Sequence, residues 1–325
     1  MYALLRQVAS KSYINLCNAK AYITEVIMSN DYFDIDFQNL SKTHSTAKLE
    51  IATLGGSVRR QDVEKKIKED YKAKKDAGKY NLPTYKDHIQ PVTSIHSAMR
   101  VEFKDNTSDW NGKGGERLIP NVLLDKMTTY VDEKTLECER VLEEQLSTYE
   151  EYKDQAREDL GDLYREEDWP TADEIRNRHR ITFRQGVVPD PDQDVRAGVS
   201  PDQRDRIRRS VKRQIAENVN SAKQDLATQM TDVIRKVRDS LGNYKGTKEN
   251  SFRNSLIGNV RDMATVVSQL NPNDKEVEDV LMDIMNTIST LDPDDLRKDE
   301  TKRKKAINDA NNILNNIGSF GSSIN

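Results

Sequence analysis

Apolar residues recur at helical spacing along the second half of the chain. One stripe begins at Ile207 and continues, mostly in four-residue steps, to Leu241. This spacing places apolar side chains on one face of an α-helix. Because the mean step is longer than the roughly 3.5 residues of a strict heptad pattern, it favours a straight or slightly right-handed packing seam. Shorter stripes lie on either side of Pro272 and after Pro293. The pattern predicts several helices joined by short loops, which is typical of antiparallel neighbours in a bundle.

The middle of the chain predicts a long helix with an acidic face, from Pro120 to Leu163. Proline fits the first helical turn, because the amide hydrogen that it lacks would have no partner there. Carboxylates outnumber basic side chains by about three to one over Asp132–Asp168. Trp169-Pro170 ends the helix, because the residue before a proline avoids the helical region.

The first part of the chain alternates between apolar and polar residues in three places. These are Phe33–Phe37, Lys48–Ala52 and Ala98–Phe103, and alternation of this kind is typical of half-buried strands. Helical spacing predicts helices over Leu4–Met28 and Gln61–Asp76 in the same region. Together these patterns predict a small α+β module with a short antiparallel sheet.

Two helix starts frame a further predicted strand. Thr171 and Glu174 have the spacing of a capping box, in which each side chain bonds to the other residue's amide. The apolar positions near 180–188 predict a strand that adds to the sheet beside Met99–Phe103. Ser200-Pro201 then begins the long helix, with proline at the first helical position.

The predicted fold class is therefore mainly α. We expect an elongated helical bundle with a small N-terminal α+β module and a short antiparallel sheet. The glycine-rich hinge Gly112-Lys113-Gly114-Gly115 suggests the domain boundary. It divides an α+β module (residues 1–111) from a long-helix bundle (residues 112–325), which includes the short strand segment near 180–188.

Composition restricts the class of partner and the cellular compartment that we expect for the protein. The 325 residues include 51 basic and 55 acidic side chains, with a net charge of −4, so a globally basic nucleic-acid binder is not indicated. No apolar run approaches the roughly 20 residues of a membrane span or the about 7–15 residues of a signal peptide core. The two cysteines, Cys17 and Cys138, form no disulfide framework. These features predict a cytoplasmic protein that does not bind a membrane.

A search for chemical motifs assigns no catalytic, cofactor-binding or metal-binding residue. Gly112–Gly115 lacks the spacing of a phosphate loop, and Asp190–Asp194 is followed by residues that a calcium loop does not use. The acidic residues beside Cys138 should raise the pKa of its thiol and make it a poor nucleophile. The histidines have no ligand spacing: His44, His88, His96 and His179. We predict that the chain is not an enzyme and needs no cofactor.

Two basic clusters remain as candidate contact sites for nucleic acid or for an acidic partner. Phosphate binding would need the charges to lie on one face of a helix. The larger cluster spreads around its helix, and the acidic helix offers a complementary surface, so charge pairing within the chain or a solvated face is favoured. The basic residues are Arg176, Arg178, Arg180, Arg204, Arg206, Arg208, Arg209, Lys212 and Arg213.

The order of several short segments resembles a family of tailed-phage and prophage proteins of unknown function. The segments are Glu116–Asn121, Trp169–Ile175, Arg180–Phe183 and Ser251–Val260, and the likeness extends over residues 116–317. Members of that family are mostly helical and are often encoded beside MoxR-type AAA ATPases and partners with von Willebrand A domains. The resemblance implies a phage origin, and it supplies no catalytic residue to carry over.

These observations lead to three alternative functions. The first is a non-catalytic, phage-encoded helical interaction or adaptor protein, accessory to an AAA ATPase or to another assembly. The second is a nucleic-acid-binding accessory protein that uses the basic helix faces. The third is a structural component of the virion. In the first two cases the protein would work in the host cytoplasm.

Overall fold

A computed structural model describes residues 35–52, 55–73, 78–112, 115–193, 199–246, 252–272 and 274–319. The chain is mainly α, as the periodicity predicts, with one small antiparallel four-stranded sheet and one two-stranded sheet. The helix predicted over Leu4–Met28 lies outside the described residues. None of the helices in the described ranges combines the length and the apolar character that a bilayer crossing requires.

The secondary structure elements follow one another in a simple order along the described residues. The helices are α1 Phe37–Thr43, α2 Gln61–Asp70, α3 Gln90–Asp105, α4 Asn121–Ser147, α5 Tyr149–Leu160, α6 Ala172–Arg178, α7 Pro201–Gly242, α8 Ser255–Leu270, α9 Lys275–Asn286, α10 Pro293–Lys298 and α11 Glu300–Ser319. The strands are β1 His44–Ala52, β2 Ser57–Arg59, β3 Asn81–Pro83, β4 Ser108–Asp109, β5 Arg117–Pro120 and β6 Arg180–Val187.

The residues group into two compact units built from separate stretches of chain. The bundle unit comprises residues 1–46, 108–120 and 186–325, and the central unit comprises residues 47–107 and 121–185. The chain therefore crosses between the units four times, a pattern that the single predicted boundary at Gly112 did not include.

The bundle unit is held together by the C-terminal half of α7. This helix packs against α8 and α11, and its residues Met230, Ile234 and Val237 are fully buried. Val260 and Val267 of α8 lie in the same apolar cluster. Each such aliphatic side chain contributes roughly 1.5–3 kcal/mol when it leaves water, so this face of α7 accounts for much of the unit's stability.

Helix starts in the bundle unit follow side-chain caps. Ser200 accepts a hydrogen bond from the Gln203 amide at the start of α7, as predicted, and Asp274 caps α9. Asp299 accepts from the Thr301 and Lys302 amides at 2.8 and 3.1 Å. This cap divides the predicted last helix into α10 and α11.

Phe252 lies before helix α8 and belongs to the bundle core. Helix α8 begins at Ser255, and Phe252 is buried in the same apolar cluster as Leu256 and Val260.

The four-stranded sheet has the order β4-β5-β1-β6, and β2 pairs with β3. In the β4–β5 pair, Ser108 lies opposite Leu118. In the β2–β3 pair, Val58 lies opposite Leu82. The predicted strands over Lys48–Ala52 and near 180–188 are confirmed as β1 and β6, and β6 occupies a sheet edge next to β1.

The predicted strand at Ala98–Phe103 is wrong, because this segment belongs to helix α3. The buried positions of α3 are Val92, His96, Met99 and Phe103, whose steps of four, three and four residues define one helix face. Val101, which a strand would bury, is 57% exposed. The alternating window was too short to show the longer period, and β6 therefore does not pair with this segment.

The predicted strand at Phe33–Phe37 is also wrong where it can be judged. Asp36 accepts a hydrogen bond from the Asn39 amide at 2.9 Å, and Phe37 begins helix α1. An aspartate in this position satisfies an amide that the helix cannot. Phe33 and Asp34 lie outside the described residues.

The long acidic helix is interrupted once. Pro120 ends strand β5 instead of opening the helix, and α4 and α5 are separated at Thr148. The hydroxyl groups of Ser147 and Thr148 bond to the carbonyl oxygens of Glu144 and Gln145. Such local bonds compete with the helical ladder and often bend or end a helix.

Candidate functional site

Three side chains of the central unit meet at one point in its interior. His96 Nε2 lies 2.8 Å from His179 Nε2. The sulfur of Cys138 lies 3.2 Å from His96 Nε2 and 3.4 Å from His179 Nε2. We call these residues the His-Cys-His cluster.

Each member of the cluster is positioned by its own element. His96 lies on the buried face of α3, and Cys138 lies on the buried face of α4 with Val131 and Leu142. His179 follows α6 directly, and its amide donates to the carbonyl oxygen of Ile175. The backbone of His179 is therefore fixed to buried Ile175, which lies four residues earlier in the chain.

The start of α6 is fixed as the sequence predicts. The Thr171 amide donates to Glu174 Oε2 at 2.8 Å, and the Glu174 amide donates to the Thr171 hydroxyl at 3.2 Å. Both halves of the capping box are thus formed. A fixed start and a fixed anchor leave the short helix little freedom to move its last residues.

The cluster lies in apolar surroundings. His96 and Cys138 are buried, and His179 is half-buried. The two imidazole rings stack with centroids 4.9 Å apart and planes inclined by 18°. A cavity of about 10 Å³ adjoins both histidines, and its other walls come from Ile89, Val92, Thr93, Leu142 and Ile175.

Burial keeps all three groups uncharged near neutral pH. Loss of hydration, aided by His179 and Arg100, lowers the pKa of His96 to about 4. Burial also lowers the pKa of His179, against the opposing effect of Glu139. It raises the pKa of the Cys138 thiol to about 11. The predicted rise for Cys138 is confirmed, although burial contributes more to it than the neighbouring carboxylates do.

The cluster has one unsatisfied polar atom. His96 Nδ1 is buried and has no hydrogen-bond partner among the residues that the structure describes. An unpaired buried group of this kind costs about 1–3 kcal/mol, so something must compensate for it or the site is strained.

The donor types limit what the cluster can do chemically. A buried thiol with a raised pKa is a poor nucleophile, because the thiolate is the reactive form. Neutral imidazole nitrogens and a cysteine sulfur are, in contrast, the usual ligands of zinc and copper. Binding of a metal ion is the chemistry that the three atoms fit best.

Sequence reasoning missed this cluster for two reasons. His96 and Cys138 are 42 residues apart and Cys138 and His179 are 41 apart, so no local ligand spacing exists. In addition, His96 lay two residues before a segment interpreted as a strand. Recognition of α3 as a helix would have placed His96 on its buried stripe with Val92 and Met99. A buried histidine needs hydrogen-bond partners or a metal ion, so its position there would have indicated a candidate site.

The basic residues near α6 behave as the sequence predicts. Arg176 donates to both carboxylate oxygens of Glu143 on α4, at 2.6 and 2.8 Å, and it also pairs with Asp173. This is charge pairing with the acidic helix within one unit. Arg178 and Arg180 are exposed.

The basic residues at the start of α7 divide into two faces. Residues 201–214 include no buried side chain, and Ile215 is the first buried residue of the helix. We call this segment of about 21 Å the α7 arm. On one face, Arg208 and Lys212 pair with Asp192, and Arg204 donates to the Val199 carbonyl at 3.1 Å.

A second face of the α7 arm carries an arginine stripe of Arg206, Arg209 and Arg213. At 100° per residue these positions lie within about 60° of one another. All three are exposed, and none forms an ion pair with any residue in the described ranges. Exposed carboxylates flank the stripe at Asp202 and Glu217.

Comparison with known proteins finds no family model, no curated protein and no solved structure that matches the chain. A function is therefore inferred from the geometry of the chain's own residues.

Proposed function

We propose that this protein is a non-catalytic helical interaction protein that binds an anionic surface of a partner through the arginine stripe of the α7 arm. The observation that supports the proposal is the stripe itself. Three arginines face solvent on one side of a helix segment in which no side chain is fully buried. Exposed arginines that contribute nothing to the core are free to serve recognition.

The chemistry of arginine suits this role. Its planar guanidinium donates paired hydrogen bonds to carboxylates and phosphates and loses less hydration than an ammonium group. The other basic face of the same arm is already engaged with Asp192 and the Val199 carbonyl. The arm is thereby held in place while the stripe remains available.

A protein is the partner that we put first. The resemblance to the phage family points to an AAA ATPase or another assembly as the first partner to test, with this chain as its adaptor. An acidic surface on such a partner would complement the stripe.

The stripe variant and a charge-matched control test this proposal. The stripe variant is Arg206→Ala/Arg209→Ala/Arg213→Ala, and the control is Lys302→Ala/Lys304→Ala/Lys305→Ala, which removes the same charge from exposed positions of α11 in the same unit. Each tagged chain is used to capture partners, which are quantified by mass spectrometry. We expect a protein that the wild type and the control retain and the stripe variant loses. Equal capture by all three chains would contradict the proposal.

A nucleic acid is the second candidate partner, and the location of three arginines on one face favours it. Each phosphate contact contributes about −0.9 to the slope of log K against log salt on duplex DNA, so three contacts predict a slope near −3. Fluorescence anisotropy with labelled duplex and single-stranded DNA measures this slope. The stripe variant should lose this salt-dependent binding, and the control should keep most of it. No binding by the wild type at low salt removes this candidate.

A further inference from the structure

We propose that His96, Cys138 and His179 bind one zinc ion through two imidazole Nε2 atoms and one sulfur, and that the Cys138 thiol releases its proton to solvent as the ion binds. The inference is independent of the arginine stripe, because it concerns a different unit and different residues. It assigns the chain a metal site that holds three elements together.

The existing positions of the donor atoms admit an ion. The three separations of 2.8, 3.2 and 3.4 Å place a point in the plane of the atoms about 1.8 Å from each. A point about 1 Å off that plane lies about 2.1 Å from all three, close to the usual Zn–N distance of about 2.0–2.1 Å and within about 0.2 Å of the Zn–S distance. An ion there would form the apex of a low pyramid and would keep a fourth position open.

The donors select the class of metal. Two imidazole nitrogens and a sulfur suit borderline and soft ions, whereas calcium and magnesium require oxygen ligands. Among the described residues, this is the one group of histidine, cysteine or acidic side chains that brings three ligand atoms within 4.8 Å of one another. Zinc is the ion of this class that tolerates tetrahedral mixed sites without redox chemistry.

The buried state of His96 is a second, independent indication. His96 and Cys138 lie on the buried faces of their helices, so bulk water does not compete for the donor atoms. An ion at Nε2 would fix the proton of His96 on Nδ1, which has no partner in the described part of the chain and would require a water molecule. The adjoining cavity of about 10 Å³, which Thr93 also lines, has the size of about one water molecule.

The origin of the three donors assigns the ion a linking role, because each donor comes from a different part of the central unit. The ion would connect α3, α4 and the residue that follows α6. A structural zinc site of this kind contributes folding free energy directly.

The test uses the full chain, first treated with a chelator and then titrated with Co²⁺ and with Zn²⁺. We expect one Co²⁺ per chain, with the absorption band that arises from charge transfer between a thiolate and cobalt, and we expect Zn²⁺ to displace it. X-ray absorption of the zinc form should show sulfur at about 2.3 Å and nitrogen at about 2.0 Å. A shell of oxygen alone, or no stoichiometric uptake, overturns the proposal.

Variants identify the ligands. Because loss of an outer-sphere partner already weakens metal binding about 10–100-fold, Cys138→Ser and His179→Gln should each weaken it by more than about 100-fold. His88→Gln is the control and should bind as the wild type does, because His88 Nε2 lies 2.6 Å from the carbonyl oxygen of Gln145 and not in the cluster. Unchanged affinity in Cys138→Ser overturns the proposal.

Thermal unfolding of the wild type with and without zinc tests the proposal even if a variant fails to fold. Zinc should raise Tm in a way that depends on its concentration, because it binds the folded chain more tightly than the unfolded one. The cobalt spectrum of the wild type needs no variant at all. A Tm that does not change with zinc contradicts the proposal.

Discussion

At the scale of single residues, the most consequential side chain outside the His-Cys-His cluster is Arg60. Its side chain is 4% exposed, and its guanidinium bonds to Asp62 at 2.8 and 2.9 Å. It also bonds to Asp168 at 3.2 Å and to the Leu163 carbonyl at 2.6 Å. One buried cation thus joins the start of α2 to the segment that follows α5.

Replacement of Arg60 should be strongly destabilising. Arg60→Ala leaves Asp168 and a backbone carbonyl without their partner, and loss of one member of a buried ion pair costs about 3–5 kcal/mol. Arg59→Ala is the neighbouring control, because Arg59 is half exposed and pairs with Glu64, and it should cost about 1 kcal/mol or less. Urea unfolding measures both free energies. Equal losses would mean that Arg60 does not act as a buried anchor.

The lowered pKa of Glu166 leads to a prediction of how the stability of the protein changes with pH. Hydrogen bonds from Lys153, Tyr164 and Arg157 lower the pKa of its carboxyl to about 2 in the folded chain, against about 4.3 when unfolded. A lowered folded pKa means that the contribution is present above about pH 4.3 and is lost as the pH falls towards 2. The side chain is 61% exposed, so solvent screening limits the effect to about 1 kcal/mol or less.

Urea unfolding of the wild type and of Glu166→Gln is compared at several pH values from about 6 to about 2. This range includes the pKa values of the unfolded and folded chain. Glu166→Gln should be less stable than the wild type near neutral pH, and the difference should vanish in acid. A difference that stays constant over this range would show that the carboxylate charge is not the cause.

At the scale of elements, short helices depend on their caps more than on their length. Helix α6 has seven residues, of which Ile175 alone is buried. Isolated helices of that length are marginal in water. The capping box of Thr171 and Glu174 and the buried Ile175 therefore determine where His179 lies.

Loss of the cap should weaken the central unit and its cluster together. Thr171→Ala removes the hydroxyl that accepts from the Glu174 amide and should cost about 1 kcal/mol. Thr228→Ala on α7 is the control, because Thr228 is exposed in mid-helix and alanine has the higher helix propensity. Thermal unfolding should show a lower Tm for the first variant alone. A Tm equal to that of the wild type would indicate that packing of Ile175 suffices.

Element boundaries were predictable where a local signal sets them. The starts of α6, α7 and α9 follow from capping residues that lie within three positions of the helix. The error at Ala98–Phe103 has a different cause, since six residues are compatible with both periods. The period became clear only with Val92 and His96, which belong to the same buried face but lie outside that window.

At the scale of the whole molecule, stability of the bundle unit depends on the buried face of α7. Ile234 is fully buried among residues of the same apolar cluster. Interiors are close-packed, so a vacated volume is only partly filled by its neighbours.

Truncation within this core should be costly. Ile234→Ala should destabilise the protein by about 2–5 kcal/mol, since it loses transfer free energy and leaves a cavity. Ile207→Ala is the control on the same helix and should cost much less, because Ile207 is a half-buried residue of the otherwise largely exposed α7 arm. Chemical denaturation gives both values. Equal losses would contradict the division of α7 into a core segment and an arm.

The sequence by itself determined the fold class and most of the helix starts. These features depend on spacing within a few turns and on side chains that bond to amides close by, so the information is local. The tertiary structure alone decided that His96, Cys138 and His179 meet, that Arg60 is buried, and that one face of the α7 arm is paired while the other is exposed. Each of these outcomes depends on residues far apart in the chain, and their positions follow from the packing of whole elements.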